Sequence, residues 1–172
     1  DVLGSRGLGD VYKRQFIDGA LGTPEAAGIL PKVRGRIRLA RERGEAVLFT
    51  RDTHGADYLS TQEGKLLPVP HCIRGTAGWQ LAEGLAAEGD RIFDKPAFGS
   101  PELARYVAEE GFGAAELIGV CTDICVISNA LLLKAFCPEL PVSVRADCCA
   151  GVSPESHARA LEAMRACQVT VL

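Results

Sequence analysis

Cys125 follows a short apolar run, Leu117 to Val120, that reads as a buried strand giving way to a helix. Thr122 or Asp123 can cap that helix, which puts Cys125 in its first turn. A thiol there feels the positive end of the helix dipole and nearby backbone N–H groups, both of which favour its thiolate. Cys125 is the leading nucleophile in the sequence. A second group of reactive side chains lies upstream. Asp52 and His54 stand two residues apart at the end of the apolar run Ala46–Thr50, so they can share a face, and His71 follows after a loop. Together they offer one oxygen and two nitrogen ligands for a divalent ion. Two histidines alone read more readily as surface or turn residues. Lys95 ends a third candidate strand, Arg91–Lys95, just ahead of Pro96. A lysine in that position is ordinarily a solvated charge, but near a thiol it would favour the thiolate and stabilise negative charge in a transition state.

These residues need a scaffold that brings strand ends together. The chain supplies an alternation of helices and strands: a helix over Ile29–Arg43 stopped by Gly44, the strand Ala46–Thr50, an amphipathic helix over Trp79–Glu88, and the strand Arg91–Lys95. A helix capped by Ser100 with Pro101 in its first turn runs to Gly111. The Leu117–Val120 strand, an almost wholly apolar and therefore buried helix after Cys125, and the strand Val142–Arg145 come next. Asp147–Gly151 reads as a loop, Ser153 and Pro154 open a helix through Met164, and Val169–Leu172 closes as a strand. This order implies an α/β fold: a single-domain three-layer sandwich around a mostly parallel, doubly wound sheet. Ligands of such sheets bind at the carboxyl ends of the strands.

The run Gly119-Val-Cys-Thr-Asp-Ile-Cys-Val126 resembles the nucleophile turn of the isochorismatase-like cysteine hydrolases, the superfamily that includes the nicotinamidases. The resemblance implies that Cys125 is the nucleophile and that the Val120–Cys121 peptide bond is cis. It also implies that the N–H groups of Cys121 and Cys125 form an oxyanion hole. Asp52-Thr-His54 followed by His71-Cys-Ile-Arg-Gly-Thr76 is similar to the nicotinamidase metal site, which makes Asp52, His54 and His71 the implied ligands of zinc, or of iron or manganese. Lys95, ahead of a segment with Phe98 and Ser100, matches the family's catalytic lysine. The implied activity is that of an amidase: hydrolysis of a small-molecule amide, nicotinamide first, through a cysteine thioester. Family members are often homo-oligomers, so a homo-oligomer is expected.

The resemblance covers nearly all of the chain from Phe16 onward and fails at one place. The family's general base is an aspartate at the end of the first strand, and the resemblance puts it at position 12, which here is Tyr12. Asp10 is out of register with it, and Asp18 reads as a turn former before Gly19. Residues 1–15 hold four glycines without a period, and Asp10–Gln15 back-translates onto a transposon end used in sequencing libraries. We expect residues 1–15 to be a non-native segment standing in place of the first strand, with the hydrolase domain over 16–172. If that segment is genuine, the alternative is a catalytically inactive member that binds a ligand or partner. Thr53 stands where nicotinamidases carry tryptophan, and the usual proline after His54 is missing. A carbamoyl, ureido or other amide hydrolase of the superfamily therefore stays open, whereas isochorismatase itself is disfavoured by the metal triad.

Composition excludes other classes. A formal charge of -3 with interspersed signs gives no basic stripe for nucleic acid, and no apolar run is long enough for a membrane span. Seven cysteines, an odd number in a chain of this size, suggest reduced thiols and a cytoplasmic protein. Cys72, Cys121, Cys137, Cys148, Cys149 and Cys167 are expected mostly as small buried hydrophobes. Cys121 and Cys125 lack the Cys-x-x-Cys spacing of a redox pair. His157, well into the last helix, reads as a surface or packing residue.

Overall fold

The computed structural model describes the backbone of residues 6–10 and the whole of residues 21–172. Six parallel strands form one sheet: β1 (Arg6–Asp10), β2 (Val47–Asp52), β3 (Arg91–Lys95), β4 (Ala115–Val120), β5 (Val142–Ala150) and β6 (Thr170–Val171), in the spatial order β3-β2-β1-β4-β5-β6. Chain order moves outward from β1 to β3, then crosses to β4 on the other side of β1. The carboxyl ends of β1 and β4 thus flank a topological switch point, where sheets of this kind bind ligands.

Three helices, α3 (Pro101–Glu110), α4 (Ile127–Phe136) and α5 (Pro154–Ala166), bury Leu103, Val107, Ala130, Leu133, Leu161 and Met164 against one face of the sheet. The other face is covered by α1 (Pro24–Glu42), through Ala26, Val33, Ile37 and Ala40, with Ala82 and Leu85 beside it. A short helix, α2 (Gln62–Leu66), sits in the loop after β2. The α/β three-layer architecture expected from the sequence is present.

Several local expectations differ. β1 occupies the centre of the sheet, paired with β2 and β4, although residues 1–15 do not read as a strand. Main-chain hydrogen bonding on both sides supports a strand there without an apolar run. α1 begins at Pro24, capped by Thr23, five residues before Ile29, because proline is favoured in a first helical turn. The segment Trp79–Glu88 is not a helix. Only Ala77–Trp79 makes a single 3-10 turn, and Gly84, at φ +77°, sits in a backbone region that no right-handed helix contains. β5 extends through Asp147–Ala150, which reads as loop because a register shift opposite Leu117–Gly119 interrupts its alternation. Neither Thr122 nor Asp123 caps the nucleophile helix. Cys121 takes the cap position, and residues Thr122–Val126 form one π-helical turn. Leu131 and Phe136 of α4 are 39% and 42% exposed, so that helix is not wholly buried.

Candidate active site

Three strand ends converge on Cys125. Asp52 is the last residue of β2 and Lys95 the last of β3, and the two are register partners. The side chains of partners in a parallel ladder point to the same face. Lys95 Nζ donates to Asp52 Oδ1 and, at 3.2 Å, to the Ala97 carbonyl; it also lies 3.3 Å from Cys125 Sγ. Asp52 Oδ1 is 3.9 Å from the same sulfur. Lys95 is 2% exposed and Cys125 6%, so the three groups meet with little water between them. An ammonium at that distance from sulfur, in so dry a setting, stabilises negative charge on it.

The turn that presents Cys125 is held from both ends. Val126 N and Ile124 N both donate to the Cys121 carbonyl at 3.1 Å. Thr122 Oγ1 bonds His157 Nδ1 of α5 at 2.8 Å, and Asp123 Oδ1 accepts from Val152 N at 3.1 Å. The Val120–Cys121 peptide bond is cis. His157, read from the sequence as a surface or packing residue, packs on the turn that carries Cys125 through this bond.

Cys125 forms part of the floor of a cavity of about 610 Å³, within the range of small-molecule sites. Leu66, Leu67, Phe98 and Ile124 give it an apolar wall. The same cavity is lined by a group of metal-type ligands, His54, Glu63 and His71, whose ligand atoms lie within 4.8 Å of one another. Glu63 Oε1 is 3.5 Å from His71 Nε2 and 3.8 Å from His54 Nε2. His71 Nδ1 donates to the Val69 carbonyl at 2.8 Å, because a carbonyl can only accept, and its Nε2 faces Glu63. A carboxylate and two imidazoles, one of the rings oriented by a backbone carbonyl, suit a divalent ion such as zinc.

The implied ligands Asp52, His54 and His71 all line this cavity. The two histidines meet Glu63, whereas the Asp52 contacts described above go to Lys95 and Cys125. Glu63 was not foreseen, since the loop carrying it shows no pattern. Thr61 caps α2 through Gly64 N, and Gly64 packs so tightly on the Tyr58 carbonyl that a Cβ would come within 2.0 Å of that oxygen. Thr61 within three residues of Gly64 was the available signal. Tyr58, also unforeseen, is fully buried and touches both histidines, with ring centroids at 4.8 and 4.9 Å. Tyr12 and Asp18 lie outside the described residues, and of Asp10 only the backbone is described, in register with Thr50 and Gly119.

The family model described as Isochorismatase domain matches residues 10–172. The chain belongs to the isochorismatase family. Within it, the pyrazinamidase of Pyrococcus horikoshii, solved in complex with zinc, is 30% identical and superposes with a TM-score of 0.84 over 98% of both chains. The pyrazinamidase/nicotinamidase of Streptococcus mutans UA159 is 26% identical, with a TM-score of 0.86 over 98% of this chain and all of the other. A nicotinamidase/pyrazinamidase of Mycobacterium tuberculosis is 28% identical over 143 residues, 73% of this chain and 75% of that protein. No helix among the described residues is long and apolar enough to cross a membrane.

Proposed function

We propose that this member of the isochorismatase family hydrolyses a small-molecule amide, with Cys125 as nucleophile and nicotinamide as the first substrate to test. The observation that carries the reading is the contact of the Lys95 ammonium with the Cys125 sulfur, and Cys125 lines an open cavity of small-molecule size. The Cys125 thiolate attacks the amide carbonyl carbon, forming the C–S bond, and the carbonyl oxygen takes the negative charge. The N–H groups of Cys121 and Cys125, as the family resemblance implies, receive that oxyanion. Among the described residues, the carboxylate set against the sulfur is Asp52, and it receives the thiol proton. Asp52 returns the proton to the departing nitrogen as the C–N bond breaks and ammonia leaves. Water then attacks the thioester, releases the carboxylic acid and restores the thiol. Lys95 faces the sulfur and the carboxylate through both halves of the cycle.

His54, Glu63 and His71 would hold a zinc ion, which supplies a Lewis acid for a ring nitrogen of the substrate and for ordering water. The apolar wall of Leu66, Leu67, Phe98 and Ile124 suits a flat, uncharged ring. The test is ammonia release from nicotinamide by the protein as it exists and by its Cys125→Ala variant. Release by the first and its loss in the second is the expected result. Equal release by both would remove the thiol mechanism, and release by neither would favour a binding protein of the same fold.

A further inference from the structure

Trp79 is the single tryptophan of the chain, and the hydrolytic scheme does not use it. Its indole N–H donates to Thr53 Oγ1 at 2.8 Å, and the Thr53 hydroxyl donates in turn to the Arg51 carbonyl at 3.2 Å. Thr53 is the residue between Asp52 and His54. The same hydroxyl also bonds the Asp94 carboxylate, so the indole N–H and these two acceptors together restrict the Thr53 side chain. The face of the same indole carries the Arg51 guanidinium, whose carbon lies 3.5 Å from the ring centroid. Arg51 Nε donates to Asp94 Oδ1 at 2.8 Å, and Arg74 Nη1 donates to Asp94 Oδ2 at 3.2 Å.

The cluster joins the two chain segments that carry the histidines. Main-chain bonds link them first: His54 N donates to the Cys72 carbonyl at 3.0 Å and Arg74 N to the His54 carbonyl at 2.9 Å. Arg51 and Arg74 then share Asp94 on β3, while the ring of Trp79 covers Arg51 and its N–H fixes Thr53. One side chain thus touches the residues on both sides of Asp52 without reaching any metal-type ligand itself.

We infer that Trp79 is a positioning residue for the His54–Glu63–His71 group: through Thr53 it sets the backbone from which His54 projects. This rests on the metal reading given above. Partners that orient metal ligands from outside the coordination sphere change metal affinity by about 10- to 100-fold when removed.

The test is zinc affinity, by competition with a chromophoric chelator, for the wild type, Trp79→Phe, Thr53→Val and the double variant. Phenylalanine keeps a ring under Arg51 and loses only the N–H; valine keeps the shape of threonine and loses the hydroxyl. The expected result is a zinc affinity at least about fivefold weaker in each single variant, with the double variant no weaker than the worse single. That non-additivity marks the N–H to hydroxyl bond, and general loosening of the fold would not produce it. Thermal unfolding of the zinc-free proteins checks that all four fold. Either single variant staying within fivefold of wild type, or losses that multiply in the double, overturns the inference. A wild type that binds zinc no better than His54→Ala overturns the metal reading itself, and this inference with it, by a different signature.

Discussion

Replacing Lys95 by methionine removes the ammonium shared by the Asp52 carboxylate, the Cys125 sulfur and the Ala97 carbonyl. Methionine nearly matches the lysine stem in length, so the change leaves little cavity and isolates the charge. Lys95 is 2% exposed, and Asp52 is buried beside it. Removing one partner of a buried pair costs about 3–5 kcal/mol, because the other charge is left without compensation. For a chain of this size, each kcal/mol moves the unfolding midpoint by about 2–4 °C, so Lys95→Met should lower Tm by roughly 6–20 °C. The assay is thermal unfolding of chelator-treated protein at neutral pH, followed by circular dichroism. The double variant Lys95→Met/Asp52→Asn should recover at least half of the loss, since no unpaired charge then remains. The same variants report on the nucleophile. Carbamidomethylation of Cys125, resolved from other cysteines by peptide mass, should slow in Lys95→Met as the thiolate loses its cation. Cys148 is an internal reference, because burial first, and then Asp147, push its thiol up to about 11. A midpoint within about 2 °C of wild type, together with an unchanged Cys125 rate, would refute the charge-coupled site.

Glu63→Gln keeps the shape of the carboxylate proposed as third ligand and removes its charge; zinc affinity should drop at least about tenfold, and an unchanged affinity by chelator competition would exclude Glu63 from the metal group. Asp52→Asn separates two roles: if Asp52 takes the thiol proton, ammonia release from nicotinamide falls while zinc stoichiometry stays at the wild-type value, and loss of zinc would return Asp52 to the ligand set. His157 is held below its ordinary value of 6.5 because burial outweighs the opposing charge of Asp123. The unfolded chain therefore binds that proton more tightly, so the stabilisation is present above 6.5 and is lost as pH falls through the folded-state value. The Tm difference between wild type and His157→Gln should shrink from pH 8 to pH 5, and a constant difference would show that the Thr122 contact carries no proton linkage.

The layered fold was legible because each long element carries its own signal. Ser100 with Pro101, and Ser153 with Pro154, cap helices that begin where those pairs stand. The run Arg91–Lys95 is a strand with those bounds. What escaped was set by contacts between segments remote in sequence. β1 has glycines at Gly7 and Gly9 and no apolar run; its place between β2 and β4 comes from ladder hydrogen bonds with strands more than thirty residues away. Trp79–Glu88 shows helical spacing of apolar residues, yet Trp79 is drawn to Thr53 and Arg51, and Leu85 and Ala82 pack beside α1 from an irregular backbone. Periodicity records which residues are buried, and a loop laid on a sheet can bury them at the same spacing.

At the site, the same distinction separates residue from partner. Cys125, Lys95, Asp52 and His54 stand out because each lies at or a few residues past a strand end, and the sheet gathers such ends along one edge; His71 is brought to them by a loop tied at the His54–Ile73 bridge. Which of them meet depends on register, and register is not written in any single strand. Asp52 and Lys95 are partners because β2 and β3 pair Leu48 with Arg91; a slip by one residue would turn Lys95 to the opposite face and leave Asp52 without its cation. Glu63 enters for the complementary reason. Once Asp52 is drawn to the lysine, the two histidines find their carboxylate on the turn that Thr61 and Gly64 fold over Tyr58. Strand pairing thus sets which carboxylate lies near the sulfur and the Thr61–Gly64 turn which one lies near the imidazoles, and the Asp52→Asn and Glu63→Gln measurements test the roles proposed for them.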